Sequence, residues 1–125
     1  MSNKLSSLVP LFHVKSVPRS IEFYKKLGFE VGATHVPEGE SGPVWAWLRS
    51  GGAHLMVNVA SEAVDPELQA VIYYIYCADV KTFREEFIKN GVECSEITYP
   101  FYCPKGEFRV TDPDGWCLMV THAGD

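Results

Sequence analysis

Displacing this chain by 63 residues lays its second half on its first without a gap. Asp79-Val80 then falls on Ser16-Val17, Phe87 on Tyr24, Gly91 on Gly28, Val92 on Phe29, Gly115 on Gly52, and Leu118-Met119-Val120 on Leu55-Met56-Val57. Each match is short, but a single offset keeps them all in register, so one supersecondary unit is used twice. Periods of about 20 to 50 residues in many copies build solenoids. Two copies of a longer unit build two half-domains that share a sheet.

The unit reads as β-α-β-β-β. Residues 8–14 have strand character, with Pro10 marking an edge or the strand's beginning. Ser16 before Val17-Pro18 opens a helix, since a proline in the first turn loses no hydrogen bond. Val17, Ile21, Tyr24 and Leu27 recur at helical spacing until Gly28 stops them. The second copy repeats this with a strand at 71–77, Asp79 as cap, Val80, Phe83, Phe87 and Ile88 on one face, and a stop at Asn90-Gly91. Three further strands are expected per copy, at 29–34, 44–49 and 53–60, and at 92–98, 107–111 and 116–122. Gly51-Gly52 and Asp112-Pro113-Asp114-Gly115 are hairpin turns. Residues 35–43 and 99–106 are longer loops, and 60–68 links the copies.

The 125 residues allow one domain, 1–125, made of modules at about 8–60 and 70–122. With 46% hydrophobic and 22% charged residues the chain has the composition of a soluble globular protein. No apolar run is long enough to span a bilayer, and the Met-Ser-Asn-Lys start has no apolar stretch behind it, so a cytoplasmic location without membrane contact is expected. A net charge of -5 argues against nucleic acid and for a small-molecule partner. Cys77, Cys94, Cys103 and Cys117 form no CxxC pair and stand at no zinc-finger spacing from His13, His35, His54 or His122; free thiols are expected. No Ser-His-Asp order, Cys-His nucleophile signature, phosphate loop or GxGxxG is present.

The run from Phe12 to Tyr24, ending Ser20-Ile21-Glu22-Phe23-Tyr24, the Leu27-Gly28-Phe29 that follows, and the late Asp112-Pro113-Asp114-Gly115 resemble the vicinal oxygen chelate superfamily. That group holds glyoxalase I, extradiol dioxygenases, fosfomycin-resistance enzymes and bleomycin-resistance proteins. The resemblance runs from about residue 8 to residue 122. It departs at Ser16, where the family often has aspartate, but serine also caps a helix. The implied fold class is α+β: two tandem βαβββ modules in a half-open barrel with helices outside.

Enzymes of this superfamily hold a divalent metal on the concave sheet. The resemblance puts its ligand positions at Val9 and Met56, and, 63 residues on, at Ile72 and Met119. None of these supplies the oxygen or imidazole that a hard cation needs. A metal-free protein without cofactor is therefore expected, closest in character to the bleomycin-resistance members. A displaced site from His13, His54 and Asn58 is the alternative.

Alternation places Val9, Leu11, His13, His54, Met56, Asn58, Ile72, Tyr74, Tyr76, Cys117, Met119 and Thr121 on the concave face. Phe12, Val14, Leu55, Val57, Tyr73, Ile75, Leu118 and Val120 belong beneath the helices. A two-residue Gly51-Gly52 loop would pair Trp47 with Met56 and turn Trp45 and Trp47 into the cavity, whereas a three-residue loop would turn them to the helices. By the same logic a Pro113-Asp114-Gly115 loop aims Arg109 at the cavity beside Met119. A buried arginine there needs an anionic ligand or a carboxylate such as Glu107. Tyr99, Phe101 and Tyr102 should cover a partner or a pocket mouth. The expected ligand contacts are His13, Trp47, His54, Met56, Asn58, Tyr74, Tyr76, Tyr102, Arg109 and Met119. The expected function is sequestration of an aromatic or drug-like molecule, as in antibiotic resistance, by a homodimer. The alternatives are a glyoxalase-like lyase or isomerase, or a dioxygenase-type enzyme, with a displaced metal; metal-free acid-base chemistry at His13 or His54 has no partner at a defined spacing.

Overall fold

Each half starts with a strand that feeds a capped helix. In the computed structural model, which describes residues 4–123, β1 (Leu11–Val14) leads to α1 (Val17–Lys26), and β5 (Ile72–Cys77) leads to α2 (Val80–Lys89). Residues 1–3, most of the Met-Ser-Asn-Lys start, and 124–125 lie outside the described residues. Ser16 caps α1 by accepting from the Arg19 amide at 3.3 Å, and Asp79 caps α2 by accepting from the Thr82 amide at 3.0 Å. Beyond the helix ends, Gly28 and Gly91 take positive φ. Val17, Ile21 and Tyr24 of α1 are buried, as are Val80 and Phe87 of α2, while Phe83 and Ile88 stay partly exposed.

The first module continues with β2 (Glu30–His35), β3 (Trp45–Ser50) and β4 (Ala53–Val59), giving a four-stranded mixed sheet in the order β1-β4-β3-β2. The second continues with β6 (Glu107–Thr111) and β7 (Cys117–His122), giving a three-stranded mixed sheet in the order β5-β7-β6. The class is α+β, with two sheets bonded each within itself rather than one sheet shared by both halves. The repeat survives in the register: β1 and β4 run parallel with Leu11 opposite Met56, and β5 and β7 run parallel with Tyr74 opposite Met119. Gly51-Gly52 is a two-residue loop, so Trp47 faces Met56; Asp112 bonds Trp116 across a three-residue loop, so Arg109 faces Met119.

Two expected strand segments are corrected. Residues 8–10 precede β1, although the Pro10 carbonyl still accepts from the Met56 amide at 2.9 Å. Residues 92–98 form no strand and meet β6 through Ser95 and a bridge at Thr98. The cause is Ser95. Its hydroxyl takes the Arg109 amide at 2.7 Å, and its carbonyl, the natural ladder acceptor, takes the Arg84 Nε–H at 2.8 Å. A side chain competing for a ladder amide breaks the ladder there.

The helix-facing residues Phe12, Val14, Leu55, Val57, Leu118 and Val120 are buried in one connected core, with Tyr73 and Ile75 packed against it. The modules meet through that core and through the Asp112–Gly115 turn. Tyr24 donates to Asp112 at 2.8 Å, the Lys15 amide to Asp114 at 2.9 Å, and Arg19 pairs with Asp114 at 3.2 Å. Trp116 stacks on Phe12 at 5.0 Å and donates its indole N–H to the His13 carbonyl. The four cysteines are free, and burial pushes the Cys77 and Cys94 thiols up, which leaves them poor nucleophiles. Among the described residues no helix is long and apolar enough to cross a membrane.

Candidate functional site

Where the edge strands β1 and β5 approach each other, a cavity of about 740 Å³ opens. Leu8 and Pro10 border it from before β1, Ser50 to Leu55 from the β3–β4 hairpin, and Tyr73 to Ala78 from β5; Phe83 and Phe87 of α2 and Phe29 form its floor. Its polar edge is His54. The Trp47 indole donates to His54 Nδ1 at 3.1 Å, with the rings edge to face at 5.9 Å. Because Nδ1 accepts, Nε2 carries the proton, so the imidazole keeps one N–H for a guest. On the other wall Tyr74 and Tyr76 stack at 6.3 Å and stay 43% and 64% exposed, aromatic surface that is available rather than core.

The face of the second sheet turned away from the helices carries a polar network. Tyr102 donates to Glu107 at 2.9 Å, and Thr121 donates to the same carboxylate at 3.3 Å. The bond to Glu107 holds the Tyr102 hydroxyl far above the ordinary phenol range.

The ten expected contact residues are thus distributed over several places. His54, Tyr74 and Tyr76 share the cavity, with Trp47 holding His54. Met56 and Asn58 line the face of the first sheet turned away from the helices, where Asn58 bonds the Val59 carbonyl. Met119, Arg109 and Tyr102 belong to the corresponding face of the second. His13 lies apart, in a shallower pocket of about 450 Å³ with Trp116 and the linker. Of the two residues aimed at this face, Arg109 is exposed and Glu107 is 3% exposed, because Tyr102, which donates to the carboxylate, lies over it. Alternation had placed both on one face but says nothing about which of them a distant loop covers.

The metal positions of the fold do not suit a divalent ion. Met56 and Met119 offer thioethers and Val9 and Ile72 offer no donor, while His13 and His54 of the displaced alternative line different cavities. Among the described residues no three His, Cys, Asp or Glu side chains lie together as a metal site would need.

Comparison with known proteins agrees with this architecture. The profile of the Glyoxalase/Bleomycin resistance protein/Dioxygenase superfamily matches residues 8–120, and the chain belongs to that superfamily. No curated protein matches it in sequence. Among solved structures, the bleomycin resistance determinant encoded on transposon Tn5 superposes with a TM-score of 0.81 at 16% identity, covering 97% of this chain and 100% of that one. A bleomycin-binding protein from bleomycin-producing Streptomyces verticillus, complexed with copper(II)-bleomycin, gives 0.74 at 20% identity, covering 98% and 100%. A putative glyoxalase family protein from Bacillus anthracis gives 0.72 at 19% identity, covering 99% and 100%. At these identities the likeness is one of fold.

Proposed function

We propose that this protein binds a flat, partly apolar small molecule in the cavity beside β5, without a metal ion, and acts by sequestration as a homodimer in the cytoplasm. The observation that carries the reading is the cavity itself. At about 740 Å³ it has the size of a drug-sized site, is walled by tyrosines, and offers one fixed N–H at His54. Family membership and structural neighbours that hold bleomycin support a binding role. A thermal-shift screen with aromatic natural products, glutathione adducts and divalent metals tests it, since a ligand that binds only the folded state stabilises it. Stabilisation by aromatic compounds alone is expected. Metal analysis of protein prepared without chelator should give substoichiometric Zn, Ni, Mn and Fe; one divalent ion per chain would replace this reading with a glyoxalase-like lyase or isomerase.

Tyr76→Ala should weaken an aromatic ligand from that screen by roughly 1 to 3 kcal/mol, read by calorimetry. Stability should change by less than about 1 kcal/mol, because Tyr76 is a half-open wall and fills no core. Equal losses of both would mark it as core.

Self-association follows from what one chain leaves open. β1 and β5 end their sheets, and Ile72, Tyr99, Phe101 and Tyr102 stay 43% to 96% exposed. Unpaired strands beside apolar surface are aggregation hazards unless a partner covers them. Light scattering at micromolar concentration should give twice the 14.0 kDa of one chain. Phe101→Asp should lower both mass and ligand affinity; full binding by a monomer would confine the pocket to a single chain.

A further inference from the structure

No acidic or basic side chain of the ordinary charged kinds borders the cavity beside β5. Of the residues that line it none is Asp, Glu, Lys or Arg, although the whole chain carries 16 acids and 11 bases. What the cavity has instead is hydrogen-bond donors. The Trp47 indole occupies His54 Nδ1 at 3.1 Å, which an imidazole permits only while that nitrogen carries no proton, so the ring is neutral and its Nε2–H has no partner among the described residues. Tyr73 packs against Phe12 with ring centroids 4.7 Å apart, and its hydroxyl makes no hydrogen bond among the described residues. Burial alone pushes that hydroxyl up from the ordinary phenol range, so it keeps its proton and can donate. The Gly51 and Gly52 amides, in the hairpin that borders the cavity, are likewise unbonded among the described residues.

Such a set of groups favours one kind of guest. A donor covered by a purely apolar molecule loses its bond to water and gains nothing in return. A guest's ammonium would find no carboxylate in the lining to offset its desolvation, and a guest's carboxylate would find no cation there while the chain's net charge of -5 repels it. An uncharged carbonyl meets neither difficulty. We infer that the cavity selects a flat molecule bearing a neutral acceptor oxygen, an aromatic ketone or quinone, with His54 Nε2–H as the principal donor and the Tyr73 hydroxyl as a second. Trp47 is the positioning residue. Its indole N–H holds the proton of His54 on Nε2, and without it the imidazole could present a lone pair to the guest as readily as a donor. The inference rests on the proposed function and narrows its ligand class.

Titrating the intact protein with acetylnaphthalene, its hydrocarbon counterpart ethylnaphthalene, naphthoate and naphthylmethylammonium, by calorimetry and by nitrogen NMR of the imidazole rings, tests this. The ketone should bind about fivefold to tenfold more tightly than the hydrocarbon and more tightly than either ion. The spectra should show the His54 proton on Nε2 and a shift of that nitrogen when the ketone binds. His54→Phe, which keeps a flat ring but no donor, should bring the ketone down to the level of the hydrocarbon. Trp47→Phe should lower the ketone's advantage several-fold and leave His54 in a mixture of tautomers, a change that loss of packing alone would not produce. Tyr73→Phe removes a single hydroxyl and should lower the advantage about twofold, which keeps the test open if a substitution at position 47 or 54 fails to fold. Equal binding of ketone and hydrocarbon, or tightest binding of the ammonium, would overturn the selectivity while leaving the aromatic cavity intact. Binding of none of these probes would overturn both readings, and an advantage that survives His54→Phe and Tyr73→Phe would overturn the assignment of the donors.

Discussion

Asp112→Ala should cost about 3 to 5 kcal/mol in chemical denaturation, among the largest effects of any single substitution in this chain. One carboxylate oxygen accepts from the amides of Asp114 at 2.8 Å and Trp116 at 2.9 Å, and the other accepts from the Tyr24 hydroxyl at 2.8 Å. Tyr24 is fully buried and Asp112 is 4% exposed, so truncation strands three donors away from water. Asp112→Asn should cost only about 1 kcal/mol, because its amide oxygen still accepts from both backbone amides and its amide nitrogen donates to the Tyr24 oxygen. The pair also separates charge from hydrogen bonding. Burial raises the Asp112 carboxyl above its ordinary range, and the Tyr24 bond only partly offsets this. The folded protein therefore keeps this proton to a higher pH than the unfolded chain does. Asp112 contributes most stability below the ordinary carboxylate value of about 3.9, and that contribution is lost as pH rises through the raised one. Denaturation midpoints of Asp112→Asn should lack this component of the fall; an unchanged pH profile would assign it to another group.

Local grammar explains why much of the architecture was legible in the sequence. Ser16 and Asp79 cap helices through bonds three residues away, and the buried alternate residues of β1, β3 and β4 show period two directly. The 63-residue offset even survives in the pairing of Leu11 with Met56 and Tyr74 with Met119. What failed to show depends on contacts distant in sequence. Ser95 looks like any strand residue until Arg84 takes its carbonyl and Arg109 reaches its hydroxyl. Glu107 and Arg109 share a face by alternation, yet only the fold of the loop before β6 decides that the acid is covered and the base left out. The cavity arises from the meeting of the two modules, so no spacing within one module announces it. Leu8, His54 and Tyr76 belong together only after the Asp112–Gly115 turn has docked on α1.

Gly115→Ala should cost about 2 to 5 kcal/mol, while the same change at its repeat partner, Gly52→Ala, should stay within about 0.5 kcal/mol. Gly115 has φ +87, where a side chain is strained, and a methyl there would collide with the Pro66 carbonyl oxygen and come within 2.5 Å of Pro66 Cα and 2.7 Å of its Cβ. Gly52 lacks the positive φ, and a methyl there meets nothing within 4 Å. The two positions occupy the same place in the repeat, so the difference measures what tertiary packing has added to one copy. The collision should also reach the site. Pro66 begins the short helical turn Pro66–Leu68, the Gln69 side chain bonds the Asp114 carbonyl at 3.3 Å, and β5 starts at Ile72. Displacing Pro66 shifts the segment that aims Tyr74 and Tyr76, so affinity for an aromatic ligand should fall along with stability in Gly115→Ala and in neither respect in Gly52→Ala. Weakened folding with unchanged affinity would show that β5 is positioned by its pairing with β7 alone.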